Sequence, residues 1–239
     1  ETPVTAMESG ANIKKKESSG TRETQREQTR ARILQAVLDI AVEEGMRAVR
    51  HRAVAKRAGV SLGSTTYHFS SIEDLVTSAF HYWRMQKKVV VNPYYNEVKK
   101  RLETMEEGMV PSGRREETAV WICDQSVAYI LDQLDGKRFD RLVELAFYHE
   151  SIRYPSLRVL LEDVRQFWLG FLTDVHRAMG SPCPIEDAQI TLALCRQLEQ
   201  TAVMSVSPKL DTEMIRRTIT RHLALCFGLA PEAAAARSR

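Results

Sequence analysis

Cysteine is sparse in this chain, and where it occurs it is unpaired. Cys123, Cys183, Cys195 and Cys226 are scattered with no CxxC pair. The spacing therefore encodes neither a disulfide framework nor a thiolate metal cluster, and reduced intracellular thiols are expected. Histidine is no better organised: His51, His68, His81, His149, His176 and His222 show no HExxH or similar ligand spacing. No metal and no cofactor is expected. Long apolar runs are also missing, since nothing approaches the roughly 18 consecutive apolar residues of a membrane span. The polar first twenty residues, with Lys14-Lys15-Lys16, lack the apolar core of a secretion signal. A cytoplasmic location with no membrane partner follows as the expectation. Catalytic signatures are absent too. Gly59-x-x-x-Gly63-Ser64 lacks the lysine of a phosphate-binding loop, and no paired-carboxylate pattern occurs. Gly59-Val60-Ser61-Leu62-Gly63 has the G-x-S-x-G spelling but follows a predicted helix, not the strand a nucleophile elbow requires. An enzyme is not expected. Charge of one sign is not in excess either: 34 Lys and Arg against 31 Asp and Glu leave a net +3. Any basic surface must be local.

What remains is a chain of 239 residues, 44% hydrophobic, enough for one large domain or two modest ones. Residues 1–28 are rich in Glu, Lys, Ser, Thr and Gly with almost no large apolar group. Such a segment cannot bury enough surface to offset chain entropy and reads as a flexible basic arm. Beyond it, apolar residues recur at helical spacing and no strand-like alternation stands out, so the fold class is all-α. A first helix is predicted from Thr29 to Glu44, with Ile33, Ala36, Val37, Ile40 and Ala41 on one face and Gly45 as its stop. Two short helices follow, Arg52 to Ala58 and one beginning after Ser61. Ser70-Ser71-Ile72-Glu73 then reads as a capping box for a long helix toward Val91. Six more helices are predicted, over about 94–107, 114–134, 137–152, 155–179, 184–205 and 211–227. The organisation expected is an arm (1–28), a helix-turn-helix domain (29–80), a helical domain (81–230) and a tail (231–239).

The informative stretch runs from Arg52 to Phe69: a helix, a glycine turn and a second helix. Val54, Ala55 and Ala58 give the first helix a small apolar face, Gly59 takes the turn, and Val60 and Phe69 can plug a shared core. Ser64, Thr66, Tyr67 and His68 are short or planar groups suited to a major groove. No Asp or Glu occurs between Ala48 and Ser71, whereas Arg50, His51, Arg52, Lys56 and Arg57 do. That is the local basic excess a DNA reader needs.

Residues 30–80 resemble the DNA-binding domain of the TetR family of transcriptional regulators. The resemblance rests on Gly59-Val60-Ser61-Leu62-Gly63 and the closing Tyr67-His68-Phe69. It implies base and groove contacts by Leu62, Gly63, Ser64, Thr66 and Tyr67, and phosphate contacts by His51, Arg52 and His68. Thr66 stands where the family usually has Tyr, and Ile72 where a phosphate-binding Lys is common. Arg50 and the basic arm (Lys14–Lys16, Arg22, Arg26) could compensate.

Residues 114–180 are dense in aromatic groups. Trp121, Gln125, Tyr129, Phe147, Trp168 and Phe171 are candidates to line a pocket for an apolar small-molecule effector, an expectation the resemblance implies; plain core filling is the alternative. The last two helices carry apolar stripes, Leu194, Cys195, Leu198, Thr201 and Ala202 on one, Ile215, Ile219, Leu223 and Phe227 on the other. These are expected to meet their symmetry mates in a homodimer, since one short helix reads too few base pairs alone. The expected function is a repressor that binds a near-palindromic double-stranded operator as a dimer and is released by a small lipophilic effector. The alternative is a helical small-molecule binding protein or enzyme without DNA function.

Overall fold

The computed structural model describes the backbone of residues 8–88, 93–104, 109–134, 137–204 and 211–229. Among these residues there is no strand, and the all-α expectation holds. The helices are α1 (Glu8–Glu43), α2 (His51–Ala58), α3 (Leu62–His68), α4 (Ile72–Lys88), α5 (Pro93–Glu103), α6 (Arg115–Leu134), α7 (Arg138–Glu150), α8 (Pro155–Ala178), α9 (Pro184–Met204) and α10 (Thr212–Cys226). Short 3-10 turns precede α2 (Met46–Ala48) and α6 (Ser112–Arg114). The expected extension of the fourth helix to Val91 and the tail 231–239 lie outside the described residues.

One boundary differs substantially from expectation. α1 begins at Glu8, so residues 8–28, expected as an irregular arm, are helical. Once the buried stretch around Ile33–Ala41 is helical, each residue added upstream avoids the cost of nucleation. The Glu, Lys, Gln and Arg that prevail there are good helix formers. A lack of apolar groups suits a disordered arm and a solvent-facing helix alike, and Arg22–Gln28 are exposed on α1.

The chain divides into two compact units, Glu1–Met85 and Gln86–Arg239. In the first, Ile33, Leu34, Val37, Leu38 and Ile40 of α1 are buried, as are Val54 and Ala55 of α2 and Leu75, Val76, Ala79 and Phe80 of α4. α1 lies against α2, and α2 against α3. The start of α4 is capped one residue later than expected. Ser71 Oγ accepts the Asp74 N–H (3.0 Å), while the Asp74 carboxylate accepts the Ser70 N–H (3.0 Å). Ser71 rather than Ser70 takes the cap position, and the carboxylate of Asp74, three residues on, reaches past the cap to the N–H of the residue before it.

In the second unit α8 packs on α9, and α6 packs on both α9 and α10. Its core gathers Ile122, Val127 and Ile130 of α6, Val175 of α8, Leu198 of α9, and Ile215, Ile219 and Leu223 of α10. Pro155 and Pro184 open α8 and α9, where a missing N–H costs nothing. Asp211 caps α10 by accepting the Met214 N–H (2.8 Å). The stripe Ile215, Ile219, Leu223 and Phe227, expected to face a symmetry mate, is 2–5% exposed and belongs to the core of a single subunit. Leu198 joins it, and Leu194 and Cys195 pack against it. An apolar stripe looks the same whether α6 or a second copy covers it, and here α6 does. Apolar side chains left in the open include Val159 and Phe167 of α8 and Ile185, Ile190 and Met204 of α9.

Candidate nucleic-acid interface and effector site

The turn between α2 and α3 is built from hydrogen bonds that fix its shape. Gly59 is left-handed (φ 63°, ψ 41°). Its N–H reaches Lys56 O (3.3 Å) and the Val60 N–H reaches Ala55 O (3.0 Å), the paired bonds of a Schellman ending. Arg32 of α1 donates to the Ala58 carbonyl and to Gly59 O (3.1 Å). The Ala55, Lys56 and Ala58 carbonyls of α2 are thereby satisfied and the turn is tied to α1. Ser61 then caps α3, accepting the Ser64 N–H at 3.1 Å.

α3 has two distinct faces. Thr65 is fully buried, its hydroxyl donating to Leu62 O (2.8 Å), and Phe69, just past the helix, is 1% exposed. Leu62, Gly63, Thr66 and Tyr67 are turned outward, with Tyr67 70% exposed. Positions i, i+1, i+4 and i+5 share one helix face, so the inner anchors dictate which residues can be presented. Ser64 and His68 are half-buried at its margin. The Thr66 hydroxyl donates to the carbonyls of Leu62 and Gly63, which leaves its methyl and its oxygen lone pairs to meet a partner.

Arg50 and Arg52 are exposed at the start of α2, and His51 is half-buried with its Nδ1 unpartnered among the described residues. Arg57 is different: it forms ion pairs with Glu43 and Glu44, both at 2.7 Å. It braces α2 against α1 and adds little to the basic excess counted from the sequence. Further cations come from α1. Arg26 stands over the Tyr67 ring (5.4 Å) and Arg30 over Phe69 (5.2 Å). Arg22, Arg26 and Arg30 recur at i+4, a pattern legible only once α1 is known to extend upstream. Burial, then the charges of Arg26 and Arg30, hold His68 below the ordinary imidazole range. A neutral ring here can still donate one N–H to an anion.

In the second unit the six expected effector residues are not all together. Tyr129, Trp168 and Phe171 do meet: Trp168 lies 6.2 Å from Tyr129 and 6.1 Å from Phe171. Tyr94, Tyr95 and Phe167 complete the cluster, with Tyr95 only 4.6 Å from Phe171. Trp121 instead lies under the Arg101 guanidinium (4.5 Å). Gln125 is half-buried, and Phe147, at 0% exposure, is a core residue of α7. Next to Tyr129 sits a largely buried ion pair, Arg141 with Glu199 (3.2 Å), joined by the half-exposed Glu144 (2.7 Å from Arg141). Burial pushes the Glu199 carboxyl up while Arg141 draws it back, and burial raises the Tyr129 hydroxyl well above its usual range. The Arg141 Nε is buried without a partner among the described residues. Sequence offered no signal for this group, because 141 and 199 are brought together only by packing α7 on α9.

Comparison with known proteins agrees with this geometry. Residues 33–79 match the family model described as bacterial regulatory proteins, tetR family. A helix-turn-helix-type transcriptional regulator of Mycobacterium tuberculosis is 37% identical over 67 residues, 28% of this chain and 34% of the relative. The chain thus aligns with about a third of the length of that relative. Among solved structures, a transcriptional regulator from Rhodococcus sp. Rha1 has a TM-score of 0.57 at 23% identity, covering 83% of this chain and 96% of the other. The multidrug binding protein EbrR complexed with ethidium has a TM-score of 0.51 at 20% identity, covering 81% and 97%. These likenesses establish the shared helical fold over most of the chain, and the family model marks its N-terminal part. Residues 33–79 thus carry the helix-turn-helix domain described for the tetR family of bacterial regulatory proteins.

Proposed function

We propose that the chain is a transcriptional repressor that binds a near-palindromic operator as a homodimer and leaves it when a small lipophilic effector binds. The observation that carries the reading is the two-faced α3, with Thr65 and Phe69 buried and Leu62, Gly63, Thr66 and Tyr67 presented outward. Those four, with Ser64 at the margin, are the groove-facing residues in this reading, and Arg50, His51, Arg52 and His68 contact phosphate. Arg26 and Arg30 add charge from α1. One α3 spans too few base pairs for useful specificity, so a second copy is required. The exposed apolar groups of α8 and α9, Val159, Ile185, Ile190 and Met204 among them, supply a surface for it. The protein acts on DNA inside the cell, at the nucleoid.

The effector is assigned to the ring cluster of Tyr94, Tyr95, Tyr129, Phe167, Trp168 and Phe171. Tilted and edge-on rings beside a buried carboxylate and guanidinium suit a flat apolar ligand carrying a polar group. The fold neighbour EbrR, seen with ethidium, proflavin and malachite green, supports this ligand class. Release requires that ligand bind better to the conformation whose two reading helices are wrongly spaced for DNA. α4 is continuous in sequence from the first unit into the second and is the element able to carry that change.

The test selects DNA fragments with the purified protein and follows binding against salt. An inverted repeat with half-sites one helical turn apart is expected, with ethidium or proflavin weakening the complex. Absence of sequence-selective binding at every salt concentration would leave a small-molecule binding protein without DNA function.

A further inference from the structure

We propose that His176, Asp187 and Cys226 bind a single thiophilic divalent cation of the zinc class, joining the ends of α8, α9 and α10. His176 lies in the last turn of α8, Asp187 in the first turn of α9, and Cys226 is the last residue of α10. One ligand atom from each, an imidazole nitrogen, a carboxylate oxygen and the thiol sulfur, lie within 4.8 Å of one another. An ion centred among three atoms so spaced would stand about 2.8 Å from each, against about 2.0–2.3 Å in zinc sites. Side-chain rotations closing each contact by less than an ångström would complete the coordination. A mixed sulfur, nitrogen and oxygen set suits zinc better than magnesium or calcium, which prefer all-oxygen ligands.

The hydrogen bonds around Thr191 supply a second, independent observation. The Thr191 hydroxyl donates to Asp187 O (2.8 Å) and lies 2.8 Å from His176 Nε2 and 2.7 Å from His222 Nε2. Its one proton is committed to the carbonyl, so its lone pairs accept from both imidazoles. Both rings therefore carry their proton on Nε2 and leave a lone pair on Nδ1. The His176 Nδ1 is buried with no partner among the described residues, in a side chain only 1% exposed. Leaving a buried acceptor unsatisfied is costly, and a cation would relieve that cost. Metal-bound histidines commonly give their other N–H to an outer partner that fixes the ring. Thr191 does this for His176, and also holds His222, whose two ring nitrogens lie 3.7 and 3.8 Å from the Cys226 sulfur beside the site. Ser181 in turn donates to the Asp187 carboxylate.

Binding converts the Cys226 thiol to a thiolate, and its proton passes to solvent as the S–metal bond forms. In the metal-free protein burial, then Asp187, pushes that thiol up to about 12, so proton release on loading is close to complete per ion bound. The assignment does not depend on the repressor reading, since it concerns only residues of the second unit.

The full-length chain, stripped by dialysis against chelator, is titrated with cobalt(II) and then zinc(II). One cobalt per chain is expected, with a sulfur-to-cobalt charge-transfer band and intensified d–d absorption of a tetrahedral site, both removed by zinc. Cys226→Ser should abolish the charge-transfer band, and Cys183→Ser, at an exposed cysteine, should leave it intact. Thr191→Val removes only the outer partner and should weaken binding roughly 10- to 100-fold. Absence of one-to-one cobalt binding, or of a thiolate band, in the unsubstituted protein overturns the proposal even if Cys226→Ser fails to fold. So does a band that persists in a folded Cys226→Ser protein.

Discussion

Gly63 is the second residue of α3, exposed, and a Cβ placed there would meet nothing nearer than Ser61 Oγ at 3.8 Å. Packing therefore does not require glycine at this position, and its φ is not left-handed. Replacing glycine in a helix recovers a few tenths to about 1 kcal/mol. For a domain of this size that raises the midpoint of thermal unfolding by roughly 2 to 6 °C. Gly63→Leu should therefore fold as well as the unsubstituted protein, or better. On DNA it should do the opposite. Four carbons added at the centre of the outward face, between Leu62, Thr66 and Tyr67, hold the helix backbone away from base edges. Losing two good base contacts, at about 1–3 kcal/mol each, weakens operator binding by roughly thirtyfold or more. Gly63→Ala, with one carbon added, should keep the stability gain and lose less affinity. Thermal unfolding and fluorescence anisotropy on the selected operator measure the two effects separately. A Gly63→Leu protein that is stable and binds with unchanged affinity would mean that the outward face of α3 does not enter a groove.

The other predictions divide charges, aromatic groups and protons in the same way. Arg52→Ala should weaken binding to all DNA sequences alike and lower the salt slope by about one unit. Arg57→Ala, whose guanidinium is already occupied by Glu43 and Glu44, should leave the slope unchanged. Equal slopes for the two variants would remove Arg52 from the phosphate contacts. Trp168→Ala should retain operator binding but need more effector for release, because Trp168 is half-buried in the ring cluster. Phe147→Ala, at a fully buried position, should cost about 3–5 kcal/mol and lower DNA binding and effector response together. A Trp168→Ala protein that melts as early as Phe147→Ala would place Trp168 in the core instead. Finally, burial holds His176 down to about 4 and also lowers His222. The unfolded chain takes up protons on these rings first, so stability falls as pH drops below about 6.5 and levels off near 4. For chelator-treated protein the loss from His176 is at most about 3 kcal/mol. His176→Gln should flatten the profile of denaturation midpoint against pH, and a profile unchanged by that substitution would mean His176 is not the group responsible.

Much of the molecule was legible in one sequence because the responsible forces are local. Helix stops at Gly59 and Gly180, proline starts at Pro155 and Pro184, and caps at Ser61 and Asp211 each act within one turn. The helices of the second unit accordingly begin and end within a few residues of expectation. The helix-turn-helix was legible for the same reason: a Schellman turn, a serine cap and a two-faced helix fit within twenty residues. Helix propensity without an apolar face was the exception, and α1 starts at Glu8 where an arm was expected.

What tertiary structure alone decided is which side chains separated by long stretches of chain come to share a place. The stripe from Ile215 to Phe227 promised burial without naming its cover, and packing gave it to α6 within the same chain. Trp121 and Phe147 counted as aromatic residues equally with Trp168, yet only Trp168 joins the ring cluster. Arg57 counted as a positive charge until Glu43 and Glu44 were found beside it. His176, Asp187 and Cys226 have no recognisable spacing, since three separate helix ends bring them within 4.8 Å. Local backbone chemistry is written in neighbouring residues and can be read there. Side-chain partnership depends on how helices stack, and single-sequence periodicity does not encode which helix lies against which.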